Sequence, residues 1–565
     1  MPPLQSLLDD LLSTDFDASP VLASGLGLTD YDEQLDDLSA DAFRRRDADA
    51  ASFLARFDAV TDDGLSIDDT IDRDLARAVL RGRTILADWE GWRRDPQAYT
   101  SPISSGLFTL FLHRLRPERE LVDAAVSRLG QVGRAVDQGI ANLDASLAHP
   151  LIVERGANAA RGLVRYVREL LPAEVRDAPE RERLAAAGAD AAVHLERWIA
   201  HLDDLARRAS GTWQLGETRY SRILGEREVL PYDARLLRDR GESELARLDA
   251  EMRTLAREAA GTEDYVEVLR RSNEDHPRTE EAMRAGYAER TEQAREFLVA
   301  TGLVTLPPEE RCEVVPSPVF QRPVLGVASY IAPPAFSDSW RGHFFVPYAP
   351  DGTSEEELQQ RLSSNSYPGM PTTAVHEAYP GHHWHLVMRK TGPSRVRRVY
   401  STPYFTEGWA LYAERAMRER GFFRTPLEEL HHLNATLFRA ARIVVDTSLH
   451  LGEMRHDEAV TFMIDRAALP EPTARAEVGR YCAWPTQASA YLTGCLEILR
   501  IRDAYLALRG YAGESPRHVP VEVLRDFHDA IARSGALPLG LAERAVLAGA
   551  GTAAGAGASA DRRPA

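Results

Sequence analysis

The residues best equipped for chemistry stand together in Val375-His376-Glu377-Ala378-Tyr379-Pro380-Gly381-His382-His383-Trp384-His385. The chain carries 16 histidines in 565 residues, and four of them fall between positions 376 and 385. Imidazoles beside a carboxylate are the ligand-and-base set of zinc hydrolases, where His-Glu-x-x-His on one helix sets two ligands a turn apart and the glutamate next to the water. Here the fourth residue after His376 is Pro380. Proline has no N–H to give to the His376 carbonyl, and Gly381 frees the backbone, so the helix is expected to bulge at Tyr379-Pro380-Gly381. In an unbroken helix, residues six apart lie about 120° out of line and about 9 Å apart along the axis. Looping out two residues gives His382 the place of the missing histidine. His383 is the competing second ligand, disfavoured by about 10 Å of axial separation.

A third ligand is expected from a neighbouring helix. Glu407, in Thr406-Glu407-Gly408-Trp409-Ala410-Leu411-Tyr412, lies far enough past His382 for one helix to finish, a turn to form at Thr391-Gly392-Pro393, and an antiparallel helix to begin. Taken alone, Glu407 is also an ordinary acid in a helix's first turn. Hydrolysis further needs a donor for the developing oxyanion, and Tyr491 is the first candidate; a buried tyrosine with a satisfied hydroxyl is the other reading. Arg480, Tyr481 and Gln487 could hold a substrate carboxylate, although an ion pair is the commoner use of Arg480. Arg442, Asp446 and His450 follow at four-residue steps on one helix. They either support the metal ligands, with Asp446 and His383 behind them, or form an internal Arg–Asp pair. His343 and Tyr348 border an expected edge strand, to which an extended peptide could add.

The elements that must position these groups are mostly helices. Apolar residues recur at three- and four-residue steps over 38–60, 68–90, 118–147, 189–207, 232–258 and 277–299. Prolines and short β-favouring runs at Glu313-Val314-Val315, Val327–Ile331 and His343–Val346 predict a small sheet within about 311–348. Helices resume at 371–389, 405–421, 427–451, 473–482, 486–509 and 519–533. The expected fold is therefore mainly α, with an N-terminal helical lobe over 1–215 and a lobe over 216–549 that holds the sheet and the zinc site. The alanine- and glycine-rich tail 550–565 is expected to lack fixed structure.

Composition narrows the classes of function. Lys+Arg 68 against Asp+Glu 86 gives a net charge of −18, which repels nucleic acid and anionic lipid. Hydrophobic residues at 44% and charged residues at 27% are ordinary globular usage. Cys312, Cys482 and Cys495 are too few and scattered for a disulfide framework or a thiolate zinc site, so the metal must take nitrogen and oxygen ligands. No stretch has the signature of a secretory signal or of a membrane span, and the expected location is the cytoplasm.

The motifs HEAYPGH at 376–382 and EGWALYAE at 407–414 resemble the bacterial family catalogued as domain of unknown function 885. SYIAPPAF at 329–336, HFFVPY at 343–348, AARIVVDTSLH at 440–450, RYCAWPTQASAYLTG at 480–494 and FHDAIARSGALPLG at 527–540 look like its other blocks. Two positions depart from that pattern: Ser448 and Thr486 stand where the family more often has glycine. The family resembles gluzincin metallopeptidases, helical proteins with two lobes about a deep cleft. That resemblance implies His376, His382 and Glu407 as Zn2+ ligands and Glu377 as general base. The expected activity is zinc-dependent hydrolysis of short peptides. An amidase or lyase acting on a specialised small metabolite, and a non-catalytic binding scaffold, are the alternatives.

Overall fold

The computed structural model describes residues 4–319, 321–322 and 326–560, with 550–560 described by their backbone alone. The architecture is mainly helical, with one small three-stranded sheet. Helices α1 (Leu4–Ala18), α2 (Ile67–Ala87), α3 (Ala178–Arg208), α4 (Ala234–Ala260) and α5 (Glu280–Thr301) lie in the first half. Their ends are written locally. The side chains of Ser66, Asp177, Asp233 and Thr279 cap the N-termini of α2 to α5, and Gly261 and Gly302 end α4 and α5 at positive φ. The expected helix over 118–147 is two helices, Glu118–Gly130 and Val132–Asn142.

Strands β1 (Arg311–Pro316), β2 (Ser329–Ile331) and β3 (Arg341–Val346) pair in the order β1-β3-β2. β1 is parallel to β3, with Glu313 opposite His343, and β2 is antiparallel, with Tyr330 opposite Phe344. β3 is thus the central strand, not the edge that the sequence led us to expect. β3 is paired along its length to β1 and over His343–Phe345 to β2, so peptide addition at His343 is not available, and Tyr348 lies beyond the strand.

The second half supplies the helices around the histidine motif: α6 (Met370–Glu377), α7 (His382–Lys390), α8 (Pro403–Glu419), α9 (Pro426–Leu451), α10 (Glu471–Ala483), α11 (Ala490–Leu508), α12 (Val521–Arg533) and α13 (Leu539–Ala560). Thr402 and Thr425 cap α8 and α9, each followed by proline at the first helical position. The backbone of α13 runs on through Ala560, where a tail without structure was expected; alanine is the strongest helix former. Residues 561–565 lie outside the described residues.

Two apolar cores divide the chain. The smaller one gathers the helices between residues 97 and 208 around Trp198. The larger one surrounds the histidine motif and takes in α1 and α2 as well, through Leu7, Leu11, Phe16, Ile71, Leu75 and Leu80. A single cut at 215 therefore separates α1 and α2 from the core they help to fill. Ion pairs of a buried arginine fix that docking: Arg397, just before α8, binds the buried Asp72 of α2 at 2.5 Å and the exposed Asp68 at 2.9 Å.

Candidate metal centre

The helical phase breaks where the proline required it to. α6 ends at Glu377, α7 begins at His382, and the four residues between fold back over the end of α6. The Gly381 N–H donates to the carbonyl of Val375 at 3.0 Å. A Cβ at Gly381 would fall onto the carbonyl oxygen of His376, so only glycine permits this return. The fold-back brings the His376 and His382 rings to 4.8 Å between centroids, nearly perpendicular at 86°.

Glu407, in the first turns of α8, faces both rings. Its Oε2 lies 3.6 Å from Nε2 of His376 and 3.3 Å from Nε2 of His382. Among the described residues, these three form the cluster whose ligand atoms could share a metal ion, all within 4.8 Å of one another. The spacing fits a metal better than it fits hydrogen bonds. Charge-assisted N–H···O bonds close to about 2.7–2.9 Å. Tetrahedral zinc with bonds of about 2.0–2.2 Å separates its ligand atoms by about 3.3–3.6 Å. The side chains of His376, His382 and Glu407 are 7%, 13% and 19% exposed, so the site is recessed yet reachable.

The orientation of His376 comes from a residue that the sequence reading passed over. Nδ1 of His376 donates to Oε1 of Glu414 at 2.7 Å, which leaves Nε2 as the free lone pair. Glu414 is fully buried, and its other oxygen accepts from Nδ1 of His432 at 3.1 Å. Burial pushes the Glu414 carboxyl up, and the two histidines outweigh it and hold it at about 2. Burial likewise pulls the His376 imidazole down, while Glu407 and Glu414 overcome it, so the metal-free ring sits at about 9. Glu377 behaves differently. Burial raises its pKa, opposed by His376 and His382.

The other anticipated residues divide into those at the site and those beside it. Tyr491 is at the site: its ring stacks on His376 at 6.5 Å and 15°, and burial together with the Glu407 charge raises its pKa. Gln487 Nε2 donates to the Tyr491 oxygen at 3.2 Å, and the Arg442 guanidinium covers its ring at 4.7 Å. Arg480 and Tyr481 are not free for substrate. Arg480 donates to Gln487 at 2.5 Å and to Glu477 at 2.8 Å, and the Tyr481 hydroxyl donates to Glu477 at 2.7 Å. Arg442 also binds Glu477, at 2.8 Å, so this one half-buried acid of α10 consumes the donors expected to hold a substrate carboxylate.

Asp446 does not accept from a metal ligand, nor does it pair with Arg442. It accepts from Tyr220 at 2.5 Å, from Ser489 at 3.0 Å and from the Thr486 N–H at 3.2 Å. This network pins the Pro485-Thr486-Gln487 turn that presents Gln487 to Tyr491. His450 lies in the same region, with Nε2 donating to the Tyr481 carbonyl at 3.0 Å. His383, the competing ligand, points away from the trio: its Nε2 donates to Glu310 at 2.8 Å, and Nδ1 accepts from Tyr330 at 2.8 Å. His343 stacks on Phe345 at 6.0 Å and faces Glu313 of β1 at 3.8 Å.

Fold and site together define a mainly helical protein with a recessed two-histidine, one-glutamate cluster whose ligand atoms could share a metal ion. The chain belongs to the family of bacterial proteins of unknown function designated DUF885, whose model matches residues 20–546. Its fold is shared by the "putative lipoprotein" of unknown function from Shewanella oneidensis, at 19% identity and TM-score 0.75 over 97% of this chain and 100% of that one. The "putative lipoprotein" from Colwellia psychrerythraea matches at 19% identity and TM-score 0.80, over 97% and 99%. No curated protein matches the sequence.

Proposed function

We propose that the chain is a zinc-dependent hydrolase of the peptidase type, a relative of the gluzincin metallopeptidases, acting on short peptides in a cleft between its lobes. The observation that carries this reading is the donor set itself. A carboxylate oxygen stands 3.3 and 3.6 Å from two imidazole nitrogens, the separation of neighbouring ligands on tetrahedral zinc, and a carboxylate whose proton affinity is raised follows the first histidine.

His376, His382 and Glu407 would hold the ion, and Glu414 fixes the tautomer of His376. Zinc held there would acidify water and polarise an amide carbonyl. Glu377 accepts the proton of the attacking water and returns it to the leaving amine. Tyr491 donates its hydroxyl to the developing oxyanion, with Gln487 and Arg442 fixing the ring. Glu377→Gln tests the assignment: it keeps the zinc and loses turnover on a library of short peptides. Retained turnover would remove Glu377 as the base.

The free thiols of Cys312, Cys482 and Cys495 favour a cytoplasmic placement. The lipoprotein names of the two structural relatives favour an envelope placement, and fractionation of cells producing the full chain decides between them.

A further inference from the structure

Three arginines crowd the Tyr491 side of the metal centre, and two of them are spoken for. Arg442 and Arg480 both bind Glu477. Arg439, three residues before Arg442 on α9, has no carboxylate within ion-pair distance among the described residues. Nη1 donates to the carbonyl of Ala435 on its own helix at 3.0 Å, and Nε is buried without an acceptor. The guanidinium stands 5.9 Å from the centre of the Tyr491 ring, which also stacks on His376. It also lies within the fields of Glu414 and Glu407, the partner and the neighbour of that ligand. Arg439 is only half-buried, yet this Nε is shut off from water, and a buried donor without an acceptor is unusual in a folded protein.

We infer that Arg439 binds a carboxylate of the substrate, one residue's length from the bond being cleaved, and so selects peptides that carry a free α-carboxylate next to that bond. The inference rests on the peptidase reading above. The position fits the chemistry: a planar guanidinium offers two parallel N–H donors to a carboxylate, and a partly buried site strengthens that pairing relative to water. Glu477, already bound by Arg442 and Arg480, is not among the ion-pair partners of Arg439. The competing role for Arg439 is to balance the charge of Glu377, Glu407 and Glu414 without touching substrate. That role predicts weaker zinc binding on its removal and no discrimination between an acid and its amide.

The test uses the zinc-loaded full chain with N-acetyl-L-leucine and N-acetyl-L-leucine amide as probes in titration calorimetry, with zinc content measured alongside. Wild type is expected to bind the acid more tightly than the amide by on the order of 10- to 100-fold, the range of a charge-assisted pair. Arg439→Gln keeps its zinc and binds acid and amide alike. Arg439→Lys, which keeps the charge and the fold, recovers part of the preference. Equal binding of the two probes by wild type overturns the inference, as does an undiminished preference in Arg439→Gln. Zinc loss in Arg439→Gln, with both probes weakened together, assigns the residue to charge balance and also overturns it. Failure of the peptidase reading looks different: wild type prefers the acid but releases no amine from any peptide.

Discussion

Glu414 lies two helical turns below Glu407 on α8, and its Oε1 accepts from Nδ1 of His376 at 2.7 Å. One face of one helix thus carries both Glu407 of the candidate metal cluster and the group that orients His376 of the same cluster. Glu414→Ala is expected to weaken zinc binding by about 10- to 100-fold, the usual cost of losing such a partner. Competition against a chelator of known affinity measures this, and unchanged affinity would remove Glu414 from the role.

Tyr491→Phe separates the oxyanion donor from a merely packed ring. Zinc content should stay at the wild-type level while kcat falls by about 10²- to 10³-fold, the cost of one lost oxyanion donor. Burial and the Glu407 charge raise the Tyr491 pKa, so its proton is present through neutral pH and is lost only on the alkaline side. The wild-type rate should accordingly show no fall assignable to Tyr491 around neutral pH. A variant that kept its full kcat would reduce Tyr491 to packing.

Thr486 sits at φ +71°, a left-handed conformation that a β-branched residue rarely adopts, and the Asp446 carboxylate holds its N–H there. Relief of left-handed strain is worth about 1–2 kcal/mol, and the extra freedom of glycine in the unfolded chain returns about 0.5–1 kcal/mol of that. Thr486→Gly should therefore stabilise the protein by roughly 0.5–1 kcal/mol, read as a higher denaturant midpoint. A lower midpoint would show that the threonine side chain contributes more than the backbone strain costs.

Glu310 makes the fold acid-sensitive at the back of the motif. It is buried, and it accepts from His383, Tyr379 and Arg295. Burial raises its pKa and these partners more than reverse that, to about 2 against an ordinary 4.5. A carboxyl depressed in the folded state contributes stability that is whole above about pH 5 and is lost as the pH falls toward 2, on the order of 3 kcal/mol in all. Denaturant midpoints followed from pH 6 down to pH 3 should fall less steeply in Glu310→Gln than in wild type. Parallel slopes would place the sensitivity elsewhere.

The meeting of His376 and His382 was legible because proline and glycine announce their effect on a helix: Pro380 predicts the break, and Gly381 permits the return to His376. The glycine of the Glu407-Gly408-Trp409 motif had no reading in sequence. α8 and α11 cross at Gly408 and Gly494, and a Cβ on Gly408 would come within 2.5 Å of the Gly494 Cα. Such a contact joins residues far apart in the chain, so no local pattern could reveal it. Glu414 carried a usable signal, since seven residues is close to two turns and places it on the Glu407 face. Asp446 misled because four-residue spacing records a shared helix face without naming what packs against it. Tyr220 and Ser489, its actual partners, come from two other elements. The edge-strand reading of His343 failed for the same reason: strand order is decided by long-range pairing, and β1 and β2 enclose β3.

The most direct test of the central claim is the zinc content of the purified full chain beside that of Glu407→Ala. Wild type is expected to hold about one zinc per chain, and the variant, left with two imidazoles, to lose it on dialysis against a mild chelator. Full retention of zinc by Glu407→Ala, or no specific zinc in wild type, would contradict the account.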